Sequence, residues 1–276
     1  MTKKPVRIAA EIASVLVVLI IFGIPFYYVL INSFKDRAGA AQMSLGFPEA
    51  YAALENYRTS VETSNYMIIR GFGNSAVITA SAIAILVVLC SMGGFVLQRR
   101  SGKLTTFANF LFLVGLMIPP AIVPTIWVLD WLGIYRSLFA MVLVEAAINI
   151  PFTLMLYRAF MASIPRELDE AAKIDGCGQL RLFGQIVFPL LKPVTASVVV
   201  LNAVNVFNDF VNPLYFLPGA RNVTVQLTMY NFIGRYASSW NLLFANVALI
   251  SVPPLILFIF FSKRIVSGMV AGSVKG

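Results

Sequence analysis

Six stretches of this chain are apolar for about 20 residues or more, enough for a helix to cross a bilayer core. They run over residues 8–32, 74–97, 106–129, 137–160, 194–216 and 242–262. That pattern predicts an all-α membrane protein with six transmembrane helices. Composition agrees, with 59% of residues hydrophobic and 12% charged, against about 25% charged in an ordinary soluble domain. A soluble globule, a disordered chain and a nucleic-acid-binding module are excluded. The +9 charge is scattered between apolar runs, which is not the footprint of a nucleic-acid site.

The cations report orientation instead. With the N-terminus inside, the inner segments hold 14 of the Lys and Arg residues and the outer segments 7. Both termini are therefore expected in the cytoplasm, and an even number of spans agrees by placing them on one side. Lys3, Lys4 and Arg7 before the first stretch, and Ala38-Gly39-Ala40 after it, imitate a signal peptide. An apolar run of about 24 residues is too long for one, so a retained anchor is expected. The third stretch holds Pro119, Pro120 and Pro124 and should be kinked or broken. The simplest partition has residues 1–73 as an N-terminal transmembrane helix and outer loop. Residues 74–276 then form a membrane core that ends in a cytoplasmic tail.

Several chemistries are absent. The chain has no histidine and no GxxxxGK[ST] loop, which removes Ser-His-Asp triads, HExxH zinc sites and conventional ATP binding. Cys90 falls in an apolar run and Cys177 in a basic loop, which favours neither a disulfide nor a metal site. No cofactor, metal or catalytic residue is expected, and energy must come from a partner or an ion gradient.

The longest inner segment, residues 161–193, is the most informative. Ser163 is expected to cap a helix with Pro165 in its first turn. Glu167, Asp169 and Glu170 stand where the helix dipole favours acids. Leu168, Ala171, Ala172 and Ile174 give a small apolar face, and Gly176 can stop the helix in a left-handed cap. A second helix from about Gly178 to Phe188 is expected to end at Pro189 and Pro193. Periodicity alone leaves open an amphipathic hairpin that merely joins two spans.

The residues themselves go further. Glu170-Ala171-Ala172, Asp175-Gly176, Phe183, Ile186, Pro189 and Pro193 resemble the EAA loop of binding-protein-dependent ABC importer permeases, position by position. Phe188 stands where that family usually has Leu. Asn74-Ser75, and Asn208-Asp209-Phe210 with Pro213-Leu214, resemble the carbohydrate-uptake subfamily, as do Trp240-Asn241-Leu242-Leu243 and the tail Gly268 to Gly276. Phe207 replaces a Trp. Gly94-Phe95 with Arg99 is a weaker match to an Ala-Tyr-x-x-x-Arg pattern.

The resemblance implies a cytoplasmic coupling helix between spans four and five. Glu170, Ala171, Ala172, Asp175 and Gly176 would dock on an ATP-binding cassette ATPase. It implies a bacterial inner-membrane permease subunit that hydrolyses nothing itself. Its partners would be an ATPase dimer, a second permease subunit in a heterodimer and an extracytoplasmic solute-binding protein. The substrate would be a sugar or related polyhydroxylated solute.

Asn202, Asn205, Asn208, Asp209 and Asn212 fall within about 120° on one helix at 100° per residue. Lipid would not accept such a stripe. It forms either a polar wall along a translocation path, with Asn205, Asn208, Asp209 and Asn212 as candidates, or a hydrogen-bonded helix interface. Asp209 and Glu145 need partners or water at membrane depth. Trp127 and Trp131 read as interfacial anchors. The competing reading is an ion-coupled secondary transporter of a small polar solute, which predicts internal repeats that this sequence does not display. An intramembrane enzyme lacks the residues for the work.

Overall fold

The computed structural model describes residues 3–234 and 238–273, and side chains over 11–234 and 238–260. The cations Lys3, Lys4, Arg7, Arg235, Lys263, Arg264 and Lys275, and the tail 268–276, therefore lie outside the described side chains. The regular elements among the described residues are helices, with one isolated bridge between Lys35 and Tyr51. The helices are α1 (Lys3–Ser33), α2 (Arg37–Ala41), α3 (Ala53–Arg99), α4 (Lys103–Met117), α5 (Ile122–Trp131) and α6 (Leu138–Met161). Then follow α7 (Glu167–Ile174), α8 (Gln179–Arg181), a π-helical turn (Leu182–Val187), α9 (Phe188–Leu190), α10 (Lys192–Asn208), α11 (Val211–Phe216), a 3-10 helix (Gln226–Phe232) and α12 (Trp240–Ser273).

Four helices are long and apolar enough to cross a membrane, and six spans result if two bent pairs are each counted as one. The expected third span is broken. α4 and α5 meet at 118°, because Pro119 and Pro120 cannot donate to a helical ladder. The expected fifth span is α10, which bends by 74° from the helical segment before it. It stops at Asn208 and does not run on to residue 216.

The chain divides into two compact units, Met1–Gly71 with Val225–Val252 and Phe72–Thr224 with Pro253–Gly276. In the first, α1 presents Ile12 to Phe22 outward along its length, as a lipid-facing helix must. Its end is polar and closed. The buried Lys35 ammonium donates to Asn32 Oδ1 at 3.1 Å, Ser44 O at 2.7 Å and Ser44 Oγ at 2.9 Å. Its three protons thus meet three acceptors, which offsets the cost of burying the charge. Asn56 Nδ2 donates to Ser33 O and Lys35 O at 2.8 and 2.7 Å, and Asn241 Nδ2 donates to Asn56 Oδ1 at 2.7 Å. The segment expected as the outer loop after the first span therefore carries structure of its own. Ala40 of the signal-like Ala38-Gly39-Ala40 is fully buried. α3 also begins some twenty residues before the apolar run, interrupted by left-handed Ser64, Asn65 and Tyr66.

In the second unit α6 is the centre. Leu154, Tyr157 and Met161 join Leu86, Cys90 and Phe95 of α3 and Val194 and Val198 of α10 in one buried cluster. Nearer the other end of α6, Met141 and Val144 pack with Ile78, Leu129 and Val206. Close approach of α3 to α6 depends on Gly94. A Cβ there would lie 3.0 Å from Tyr157 Cβ and 3.2 Å from the Arg158 nitrogen. Small residues allow such contacts between membrane helices. Gly94→Ala is expected to lower stability by about 1–3 kcal/mol through overpacking. Gly73→Ala in the same helix, where an added Cβ meets nothing within 4 Å, should be neutral or stabilising. Thermal unfolding of the two purified variants checks this, and equal midpoints would remove the close-contact argument.

Candidate functional site

Between α6 and α10 the chain folds into the hairpin that its sequence forecast, with one change at its entrance. Ser163 does not cap α7. Its hydroxyl donates back to Phe160 O at 2.7 Å, a bond that competes with capping. α7 starts at Glu167 with Arg166 at the cap position and no side-chain cap. Its exit follows the expected geometry. Gly176 has φ +75°, its N–H donates to Lys173 O at 3.0 Å and the Cys177 N–H to Ala172 O at 2.9 Å. This pair of bonds is the Schellman termination, and its left-handed position favours glycine.

The return arm is a short α-helix, a π turn and another short helix where one helix was expected. Leu182 and Val187 turn into the core with Ala172 and Ile164. Pro189 and Pro193 stand in the first turns of α9 and α10, where a missing N–H costs nothing. They open helices and do not close one.

Of the five residues expected to couple, Ala172 is buried against the return arm, while Glu170, Ala171, Asp175 and Gly176 are exposed. Ile174 is 86% exposed and Leu180 79%. The hairpin thus presents a knob of small, acidic and apolar groups with no covering partner among the described residues.

An ion pair that pattern reading missed anchors this knob. Arg99, the last residue of α3, sits with Nε 2.7 Å from Asp169 Oδ2. Its two terminal nitrogens both donate to Ile164 O at 3.2 Å, and one of them also to Asp169 Oδ1 at 3.3 Å. Arg166 Nη2 adds a bond to Gln98 O at 3.1 Å. Arg99 had a signal, the weak Gly94-Phe95…Arg99 match. Asp169 had none, since an acid in a first turn is already explained by the dipole.

The polar stripe divides. On α10 and α6, Asn202 Nδ2 donates to Thr153 Oγ1 at 3.2 Å and Asn205 Nδ2 to Asn149 Oδ1 at 2.8 Å. Tyr157 OH donates to Thr195 Oγ1 at 3.0 Å. Asn149 Nδ2 in turn donates to Glu145 O and Oε2 at 2.8 and 3.4 Å. Positions 145, 149, 153 and 157 are one face of α6 at i, i+4 spacing, so the two antiparallel helices face each other through a polar ladder.

Asn205 and Asn208 nevertheless remain exposed at the far end of α10. The single-helix projection fails beyond Asn208. Asp209 is extended, with ψ 125°, and caps α11, accepting from Val211 N at 2.9 Å, Asn212 N at 3.2 Å and Asn212 Nδ2 at 2.6 Å. Asp209 also lies beside Glu145, so the two acids of the membrane region meet. Asn212 is carried round onto a mostly apolar cavity of about 280 Å³ with Pro120, Thr125 and Phe216. Asp130, Trp127 and Trp131 are exposed on α5.

The geometry can be set beside known proteins. Residues 90–270 match the family model described as "Binding-protein-dependent transport system inner membrane component". The chain is 32% identical over 99% of its length to the melibiose/raffinose/stachyose import permease protein MelC of Bacillus subtilis (strain 168), of which it covers 98%. It is 31% identical over 91% of both chains to the probable starch degradation products transport system permease protein AmyC of Thermoanaerobacterium thermosulfurigenes. A chain in the crystal structure of a bacterial ABC transporter involved in the import of the acidic polysaccharide alginate superposes with a TM-score of 0.80. The match covers 95% of this chain and 98% of that one at 17% identity.

Proposed function

This chain belongs to the binding-protein-dependent transport system inner membrane components, and from that premise we propose how it works and what it carries. It is a multi-pass inner-membrane permease subunit and catalyses no reaction itself. It imports a sugar or related polyhydroxylated solute. The observation that carries this substrate class is near-full-length identity of about 30% to permeases named for oligosaccharide and starch-product import.

Both termini and the α7 hairpin face the cytoplasm. Support comes from the twofold excess of cations on that set of segments, the signature of inner loops. Glu170, Ala171, Asp175 and Gly176 dock on an ATP-binding cassette ATPase dimer, with Ala172 holding α7 against the return arm. Support comes from the uncovered knob and the Arg99–Asp169 anchor. A docked α7 that moves must pull on the end of α3 through that ion pair, and on α10 through the return arm. Closure of the ATPases on ATP is thereby delivered to two spans at once.

A second permease subunit completes a heterodimer, and an extracytoplasmic solute-binding protein delivers the solute. Asn205, Asn208, Asp209 and Asn212 lie along the solute path. Support comes from the exposure of Asn205 and Asn208 at the far end of α10, where amide groups can meet sugar hydroxyls.

Co-purification and transport test the reading together. The tagged chain, extracted gently from its native membrane, is expected to bring an ATPase, a second permease and a binding protein. Vesicles holding that complex should take up an oligosaccharide only with ATP and the binding protein. A chain that purifies alone and transports on an ion gradient without ATP would overturn the proposal.

A further inference from the structure

Two cavities in the second unit share a wall. One, of about 240 Å³, lies at the end of α3 against the hairpin, lined by Met92, Val96, Arg99, Arg100, Lys173 and Gln179 among others. The second, of about 470 Å³, runs between α3, α4 and α6, with Leu89, Gly93, Leu97, Phe112, Ile150 and Leu154 in its wall. Met92 and Val96 line both, so the two spaces adjoin along one face of α3. The first sets three cations beside apolar groups that include Phe95, Leu180 and Phe183, and the second is wholly apolar. Arg99 is committed to Asp169 and Ile164. Arg100 and Lys173 are exposed, and among the described residues neither has a carboxylate within ion-pair distance. The acids of α7 and its C-cap are Asp169, already paired, and Glu167, Glu170 and Asp175, which line neither cavity.

We propose that this amphipathic cleft is a binding site for one anionic phospholipid. Its headgroup phosphate lies between Arg100 and Lys173, and one acyl chain lies in the apolar crevice along Gly93 and Val96. The order of surfaces matches such a lipid. Cations stand where a membrane helix ends, and an apolar slot continues from them toward the middle of the same helix. Basic groups at the cytoplasmic surface attract anionic lipids, and a chain buried in a crevice adds burial of its methylenes. A neutral lipid would leave the two cations without a counter-charge.

The site also touches both partners of the hairpin joint, since Arg100 follows the end of α3 and Lys173 sits on α7. A bound lipid therefore braces the joint that the Arg99–Asp169 pair forms. The inference rests on this end of α3 meeting the inner leaflet, and not on the docking of α7.

Lipid retention by the purified transporter complex, read by native mass spectrometry, tests it without reference to transport. The wild-type complex, exchanged against equal phosphatidylglycerol and phosphatidylcholine, should retain phosphatidylglycerol preferentially. Arg100→Gln with Lys173→Gln should lower that preference by about tenfold. Val96→Trp, which fills the shared wall without changing charge, should lower retention of phosphatidylglycerol while leaving the complex assembled. Equal retention of both lipids by the wild type would overturn the proposal. So would unchanged retention in both variants, or loss of the ATPase from the double variant with phosphatidylglycerol retained, which would assign the basic cavity to a protein partner.

Discussion

Arg99→Ala is expected to cost about 3 kcal/mol of stability, a large fraction of what holds any single domain together. The two side chains of the ion pair are only 11% and 9% exposed. Removing the guanidinium leaves the Asp169 carboxylate buried without its counter-charge, and Ile164 O loses both donors. Breaking a buried pair from one side is the expensive case. Asp169→Asn keeps an acceptor for Arg99 but leaves the guanidinium without its counter-charge, and should cost about 2–3 kcal/mol. Replacing both residues by apolar ones, Arg99→Met with Asp169→Leu, should recover much of the loss.

Thermal unfolding of the four proteins in one detergent reads these differences. A double variant no better than Arg99→Ala would mean the penalty is lost packing and not an orphaned charge. Function should follow a different order. The apolar double variant can be stable yet poorly coupled, because apolar contact slides where a buried ion pair does not. A stable double variant with full ATP-driven uptake would remove the ion pair from the transmission path.

How much of this was legible beforehand depended on the range of the physics involved. The edges of α6 and the start of α12 fall within about two residues of their apolar runs, because lipid solubility is a property of the residues themselves. The Gly176 termination was legible for a similar reason, since its constraint is local to one φ angle. The early start of α3 was not. A hydropathy window asks whether a segment suits lipid, not whether it is helical, and Leu54 to Glu62 are helical but mixed in polarity. The end of α10 was missed because an angular projection assumes an unbroken helix. The clues to the break were Asp209 as a capping acid and Pro213 three residues after Phe210. Arg99 and Asp169 are 70 residues apart, and nothing in either neighbourhood names the other. Pairing across that distance is decided by how α3 and α6 pack at Gly94, which a single sequence does not display.

Gly176→Asp is expected to abolish ATP-driven uptake and binding-protein-stimulated ATP hydrolysis, by tenfold or more, while the chain still folds and inserts. Within this chain a Cβ at position 176 would meet nothing within 4 Å. The intramolecular cost is therefore only that of a side chain at φ +75°, about 1 kcal/mol. A larger loss must come from something that is not this chain. The proposed coupling supplies it, because a side chain at the tip of α7 would stand between the knob and the ATPase, and a centrally placed misfit at an interface costs about 2 kcal/mol or more.

Three substitutions separate the two causes. Asn tolerates the left-handed region better than Ala does. If backbone strain governs, Gly176→Asn should outperform Gly176→Ala. If close approach of the ATPase governs, the larger Asn should be the worse of the two, and Asp worse again wherever the facing surface is acidic. The discriminating readout is stimulated hydrolysis at equal amounts of assembled complex. Retention of both uptake and stimulated hydrolysis in Gly176→Asp would mean that α7 does not carry the coupling. The exposed Ile174 and Leu180 would then be left to some other partner.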